Sequence, residues 1–134
     1  MTAFTNLMRP RHFLVLGGSV LVILGSAGAA GLLGSISGAS VFNPPYWINW
    51  LHLTFGMAVL ATAFAGSRTL QNAMTLVAAI VGSVLGLPGL LFGSYAANRY
   101  SMLELADPSD HLAHLAVGLL AVWAWSNRRV RYQL

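Results

Sequence analysis

Four long apolar runs, separated by shorter polar stretches, dominate the hydropathy pattern of this chain. They cover residues 12–34, 46–66, 70–94 and 109–126. A helix needs roughly 20 apolar residues to cross the hydrocarbon core of a bilayer, and each run comes close to that length. The pattern therefore predicts an all-α, four-transmembrane-helix bundle, with residues 1–134 forming a single integral membrane domain.

The connections between these runs predict how the helices follow one another. Prolines at Pro44, Pro45 and Pro108 stand just before the second and fourth runs, where a helix start tolerates them. The connection at residues 66–69 is short, so we expect the second and third spans to form a tight antiparallel hairpin. The two longer connections are then expected on the opposite side of the membrane.

The composition excludes several classes of protein. Only 7% of the residues are charged and 57% are hydrophobic, whereas a soluble domain carries about a quarter of its residues as charges. Cysteine is absent, which removes disulfides and thiolate ligands. The chain is basic, but its arginines are scattered at the ends of apolar runs rather than gathered in one stretch, which favours membrane anchoring over nucleic-acid binding. We expect the first run to be a retained helix rather than a cleaved signal peptide.

The arginines also predict the orientation in the membrane. Only Arg99 falls on the side of the longer connections, together with the acidic residues Glu104, Asp107 and Asp110. By the positive-inside rule, the other side and both termini are expected in the cytoplasm. The arginines on that side are Arg9, Arg11, Arg68, Arg128, Arg129 and Arg131.

Glycines in the third run recur at helical spacing. Such spacing places them on one face, where a second backbone can approach closely. We interpret the face as helix packing within the bundle; contact with another subunit, or with a bound lipid or pigment, stays open. The glycines are Gly82, Gly86, Gly89 and Gly93, beside Pro88, which should kink the helix or free a carbonyl.

Two helix starts share one motif, in which a histidine follows a polar residue by three positions and precedes a glycine by four. The repetition predicts two tandem helical hairpins related by a pseudo-two-fold axis along the membrane normal. His52 and His114 are then expected at matching depth, while His12 lies at the opposite end of the bundle. The two copies are Asn49, His52, Gly56 and His111, His114, Gly118.

These histidines allow four interpretations. The first is a metal site that combines His52, His111 and His114 with Asp110. The second is ligation of a tetrapyrrole, haem or chlorophyll, by His52 and His114, with His111 as a weaker candidate. The third is proton relay or transport. The fourth, which we favour, is a hydrogen bond from a neutral histidine to a neighbouring helix or a loop carbonyl, which would fix how the two hairpins pack. Transport would also use the polar positions Ser19, Ser26, Thr54, Thr62, Thr75 and Ser83.

No catalytic set accompanies these residues in the sequence: neither paired catalytic carboxylates, a nucleophile elbow nor a phosphate-binding glycine loop is present. We therefore expect a non-enzymatic multi-pass protein. Its expected surroundings are the lipid bilayer and other membrane-protein subunits, or further copies of itself. Glycine-lined helices and short tails favour a structural or accessory subunit; cofactor binding and transport are the alternatives.

The order of these elements resembles a bacterial family of small four-helix membrane proteins of unknown function. The likeness rests on the basic N-terminus, the glycine-rich first helix, the two histidine–glycine helix starts and the segment Leu90-Leu-Phe-Gly93. It covers most of the chain and implies four membrane helices in a bacterial cell membrane. It implies no activity that could be carried over to particular residues.

Overall fold

The computed structural model of the chain is helical throughout the part that it describes, residues 8–33, 46–92 and 108–129. Four helices follow one another along the chain, and no strand occurs in these ranges. A short 3-10 turn, Asn127–Arg129, continues the last helix. The helices are α1 (Pro10–Ala29), α2 (Tyr46–Ala65), α3 (Arg68–Phe92) and α4 (Pro108–Ser126).

A proline and a glycine explain where α1 begins and ends. α1 begins with Pro10 in its first turn, where the missing N–H costs nothing, so it starts slightly before the predicted His12. It ends at Ala29 rather than at Gly34, because Gly31 adopts a left-handed conformation with φ of 72° and its N–H bonds the Gly28 carbonyl at 3.0 Å. α3 continues through Pro88 to Phe92.

Three of the helices are long and apolar enough to cross a membrane, by length and composition: α1, α2 and the part of α3 up to Pro88. α4 has 19 residues, but its first turns carry Asp110, His111 and His114, which lower its hydropathy. The fold is therefore the predicted all-helical bundle, with the strongest membrane signal in its first three helices.

The helices pack as two pairs. α1 lies against α2 and α3 lies against α4, while contacts between the pairs are few. The predicted tight hairpin of the second and third spans is therefore wrong, although only Gly66 and Ser67 separate α2 from α3. The reason is that the faces which allow close approach, described below, lie between α1 and α2 and between α3 and α4.

All four helices meet in one small core. Its members are mostly small or medium-sized, and they come from the first half of α1 and α3 and the second half of α2 and α4. The core therefore lies toward the end of the bundle at which α1 starts. Large side chains elsewhere face outward, such as Ile23, Phe64 and Leu91, each about two-thirds exposed. The buried set is Phe13, Leu14, Val59, Ala63, Ala79, Ala121 and Ala124.

Candidate functional site

In the first hairpin, α1 and α2 pack closely because glycines of each helix lie against the backbone of the other. A methyl group built on Gly25 would lie 2.5 Å from the Leu53 nitrogen and 2.7 Å from the Asn49 carbonyl oxygen. One built on Gly56 would lie 2.9 Å from the Val22 nitrogen. Side chains do not approach backbone so closely, so α1 and α2 can adopt this separation only with glycine at both positions.

The second hairpin repeats these contacts. A methyl group on Gly86 would lie 2.5 Å from the Leu115 nitrogen, and one on Gly118 would lie 2.8 Å from the Ser83 nitrogen. Gly82 faces the same seam, where an added methyl group would lie 2.6 Å from the His114 carbonyl oxygen. These glycines therefore pack helices within one hairpin. Gly89 lies within α3, and Gly93 falls outside the described residues.

His111 ties the two helices of the second hairpin together. It is 3% exposed, and its Nδ1 lies 2.8 Å from the Leu85 carbonyl oxygen on α3. Because a carbonyl only accepts, Nδ1 carries the proton and donates. Pro88 has no N–H, so the carbonyl of Val84, four residues earlier, lacks its usual hydrogen bond within the helix. The bond from His111 to the next residue, Leu85, therefore lies where the hydrogen bonding of the helix is already interrupted. Among the described residues, Nε2 of His111 has no hydrogen-bond partner.

Asn49 holds the corresponding position in the first hairpin. Its side chain is 4% exposed and packs against Gly28, where even a methyl group would overlap the amide. Its Oδ1 accepts no hydrogen bond from any residue that the structure describes. Asn49 and His111 are thus both buried polar groups, one turn from His52 and His114, and both lie against the first helix of their own hairpin.

His114 is held by its own helix. Its Nδ1 lies 2.7 Å from the Asp110 carbonyl oxygen, so Nδ1 again carries the proton. In a neutral ring this leaves the lone pair on Nε2, the tautomer that metal-ligating histidines commonly adopt. The bond expected to a neighbouring helix is made by His111 instead.

His52 lies on α2, one turn after the buried Asn49, and is itself partly buried. In the described part of the chain, no three histidine or carboxylate side chains gather closely enough to hold a metal ion, so the set of His52, His111, His114 and Asp110 does not form one metal site there.

The three threonines considered for transport are bonded locally. Thr62 and Thr75 are buried, and their hydroxyls donate to the carbonyls of Ala58 at 2.9 Å and Gln71 at 2.8 Å. The Thr54 hydroxyl likewise bonds Trp50 at 2.8 Å. Each hydroxyl is satisfied within its own helix, so these threonines do not link the helices into a polar path.

One further cluster was not found by sequence reasoning. Four arginines and His12 line a cavity of about 450 Å³ at the end of the bundle where α1 and α3 begin. Their side of the membrane was predicted, but not that they share a cavity, since they come from three distant parts of the chain. Arg131, Glu104 and Asp107 lie outside the described residues. The lining arginines are Arg9, Arg11, Arg68 and Arg128.

Comparison with known proteins adds no relative. No family model, no curated protein and no solved structure matches the chain.

Proposed function

We propose that this chain is a non-enzymatic, multi-pass membrane protein that serves as a structural or accessory subunit. The observation that carries the proposal is that these buried polar side chains donate hydrogen bonds to the backbone of the helices. His111 donates to the α3 backbone, and Thr62 and Thr75 donate to the backbone of their own helices. The His111 bond stabilises the packing of α3 against α4, and the threonine bonds satisfy two buried hydroxyls within their own helices, which supports a structural use of these groups. The exposed apolar faces support contact with lipid and with other membrane helices.

The proposed location is a bacterial cell membrane, crossed four times, with both termini in the cytoplasm. The clustering of Arg9, Arg11, Arg68 and Arg128 at one end supports this orientation, because arginine is enriched on the cytoplasmic side. The matching glycine contacts of the two hairpins also support the proposal that they derive from one repeated unit.

Purification from native membranes tests the accessory role. In a mild detergent, the chain should elute as a complex of fixed stoichiometry, either with itself or with another membrane protein, because its apolar helix faces exceed what its own small core covers. The measurement is the protein mass by light scattering, corrected for detergent, against the 14.2 kDa of one chain. A single 14.2 kDa chain at every concentration would contradict the role.

A second candidate function is binding of a tetrapyrrole by His52 and His114. One observation favours it: the His114–Asp110 bond leaves the lone pair of a neutral ring on Nε2, the nitrogen through which a histidine can ligate the metal of such a ring. Axial ligation needs only one or two histidines, so the lack of a three-residue metal cluster in the described ranges does not bear on it.

An absorption spectrum of the natively purified protein tests this second candidate. If it is correct, a haem or chlorophyll band is present and is lost or shifted in His52→Ala and His114→Ala. The matched control is His12→Ala, which removes a histidine at the other end of the bundle and should leave the band unchanged. A spectrum without any pigment band would rule the candidate out.

A further inference from the structure

The cavity at the arginine-rich end of the bundle is bordered by the starts of α1 and α3, the end of α2 and the 3-10 turn that follows α4. It is partly open to the outside, and its volume is about 450 Å³. This is large enough for a lipid head group. Because the cavity lies at the end of the apolar helices, its depth corresponds to the interface at which lipid phosphates are found.

The charge of this cavity is strongly positive. Four arginines line it, and none of the described residues around it is acidic. Asp110, the one acidic residue within the described ranges, stands at the opposite end of α4 from Arg128. The chain therefore brings several guanidinium groups to one cavity, an arrangement that favours the binding of an anion.

Two of the lining groups are held in place by contacts that leave donors available. The Arg128 guanidinium stacks 3.2 Å from the centre of the Trp125 ring and donates one bond to the Trp125 carbonyl oxygen at 2.9 Å. A guanidinium has five N–H donors, so the others can bind a ligand. Asn127 donates to the Met8 carbonyl oxygen at 3.3 Å and so fixes the end of α4 beside the start of α1.

Helix dipoles do not decide the charge of the cavity, because the positive starts of α1 and α3 and the negative end of α2 and of the turn after α4 all border it. The arginines therefore supply its positive charge. A guanidinium group binds phosphate oxygens more specifically than the ammonium group of lysine does, because it can donate two parallel N–H bonds.

We propose that this cavity binds a phosphate group, either that of an anionic phospholipid head group or free phosphate. The ligand would lie between the arginines of α1, α3 and α4. Phosphate binding depends on the proposed insertion in the membrane, but it does not depend on a partner subunit. A solitary monomer in detergent would therefore contradict the accessory role without contradicting phosphate binding.

Calorimetric titration of the full chain in neutral detergent tests the proposal with three probes: phosphatidylglycerol, inorganic phosphate, and oleate, which is anionic but has no phosphate. Replacing Arg68 and Arg128 together by glutamine should weaken phosphate-group binding by at least about tenfold. The matched control is Arg99→Gln, which removes the same charge at a position predicted for the opposite side. Arg68→Lys should restore only part of the affinity, since it keeps the charge but loses the planar fork.

Each outcome decides the question. Arginine-dependent binding of phosphatidylglycerol alone supports a lipid ligand, and arginine-dependent binding of inorganic phosphate supports a free one. Binding that is equal in the double variant and the wild type, or oleate that binds as tightly as phosphatidylglycerol, overturns the proposal. Folding of each variant is checked by its helix content in circular dichroism and by its elution volume. If the double variant does not fold, Arg11→Gln is used in its place, because Arg11 lines the cavity and is exposed.

Discussion

Gly25→Ala should destabilise the protein by about 1–3 kcal/mol, the usual cost of forcing extra volume into a packed contact. The new methyl group would lie 2.5 Å from the Leu53 nitrogen and 2.8 Å from its Cα, and neither backbone atom can move without shifting α2. The matched control is Gly17→Ala in the same helix, where a methyl group meets nothing within 4 Å. This control should be neutral or stabilising by up to about 1 kcal/mol, because alanine favours helix over glycine.

Reversible unfolding in mixed micelles, followed by circular dichroism, measures both effects. Gly86→Ala extends the test to the second hairpin, where the methyl group would again lie 2.5 Å from a backbone nitrogen, that of Leu115. We expect Gly25→Ala and Gly86→Ala to lose similar stability. Equal stability of the Gly17 and Gly25 variants would mean that α1 and α2 do not meet through this glycine.

Several helix limits could be predicted from the sequence because local signals set them. The second run was predicted to begin at Tyr46, directly after Pro45, and α2 begins there. The fourth run was predicted to end at Ser126, where α4 ends. The end of α1 was missed, because Gly31 resembles the earlier glycines in sequence and only its left-handed backbone distinguishes it.

The pairing of helices could be predicted only in part. The repeated motif indicated two hairpins, and the few contacts between the pairs agree with this. The short connection at Gly66 suggested the wrong neighbours, because a short link does not ensure packing when complementary glycines lie on other faces. The glycine spacing indicated a close approach, but not that Gly86 meets Leu115 or that Gly25 meets Leu53.

The candidate site, too, could be predicted only in part from the sequence. His52, His111 and His114 were identified from the motif, but their roles depend on side-chain direction, which the sequence does not give. Only the structure shows that His111 reaches Leu85 across the hairpin while His114 bonds its own helix. The arginine cavity requires the ends of four helices to meet, and no local pattern predicts such a meeting.

We propose that the chain crosses the membrane four times, with its arginine-rich end in the cytoplasm. The chain has no cysteine, so a single introduced cysteine is its sole reactive thiol. Suitable positions are exposed and lie near helix ends: Ser67 between α2 and α3, Ser126 at the end of α4, and Ala30 after α1. Ser126 matters most, because it reports whether α4 crosses.

The deciding measurement is labelling of these variants by a membrane-impermeant maleimide in right-side-out and inverted vesicles. We expect Ala30→Cys to be labelled only in right-side-out vesicles, and Ser67→Cys and Ser126→Cys only in inverted ones. Labelling of Ser126→Cys from the same side as Ala30→Cys would show that α4 does not cross the membrane, and labelling of Ser67→Cys from that side would contradict the whole topology.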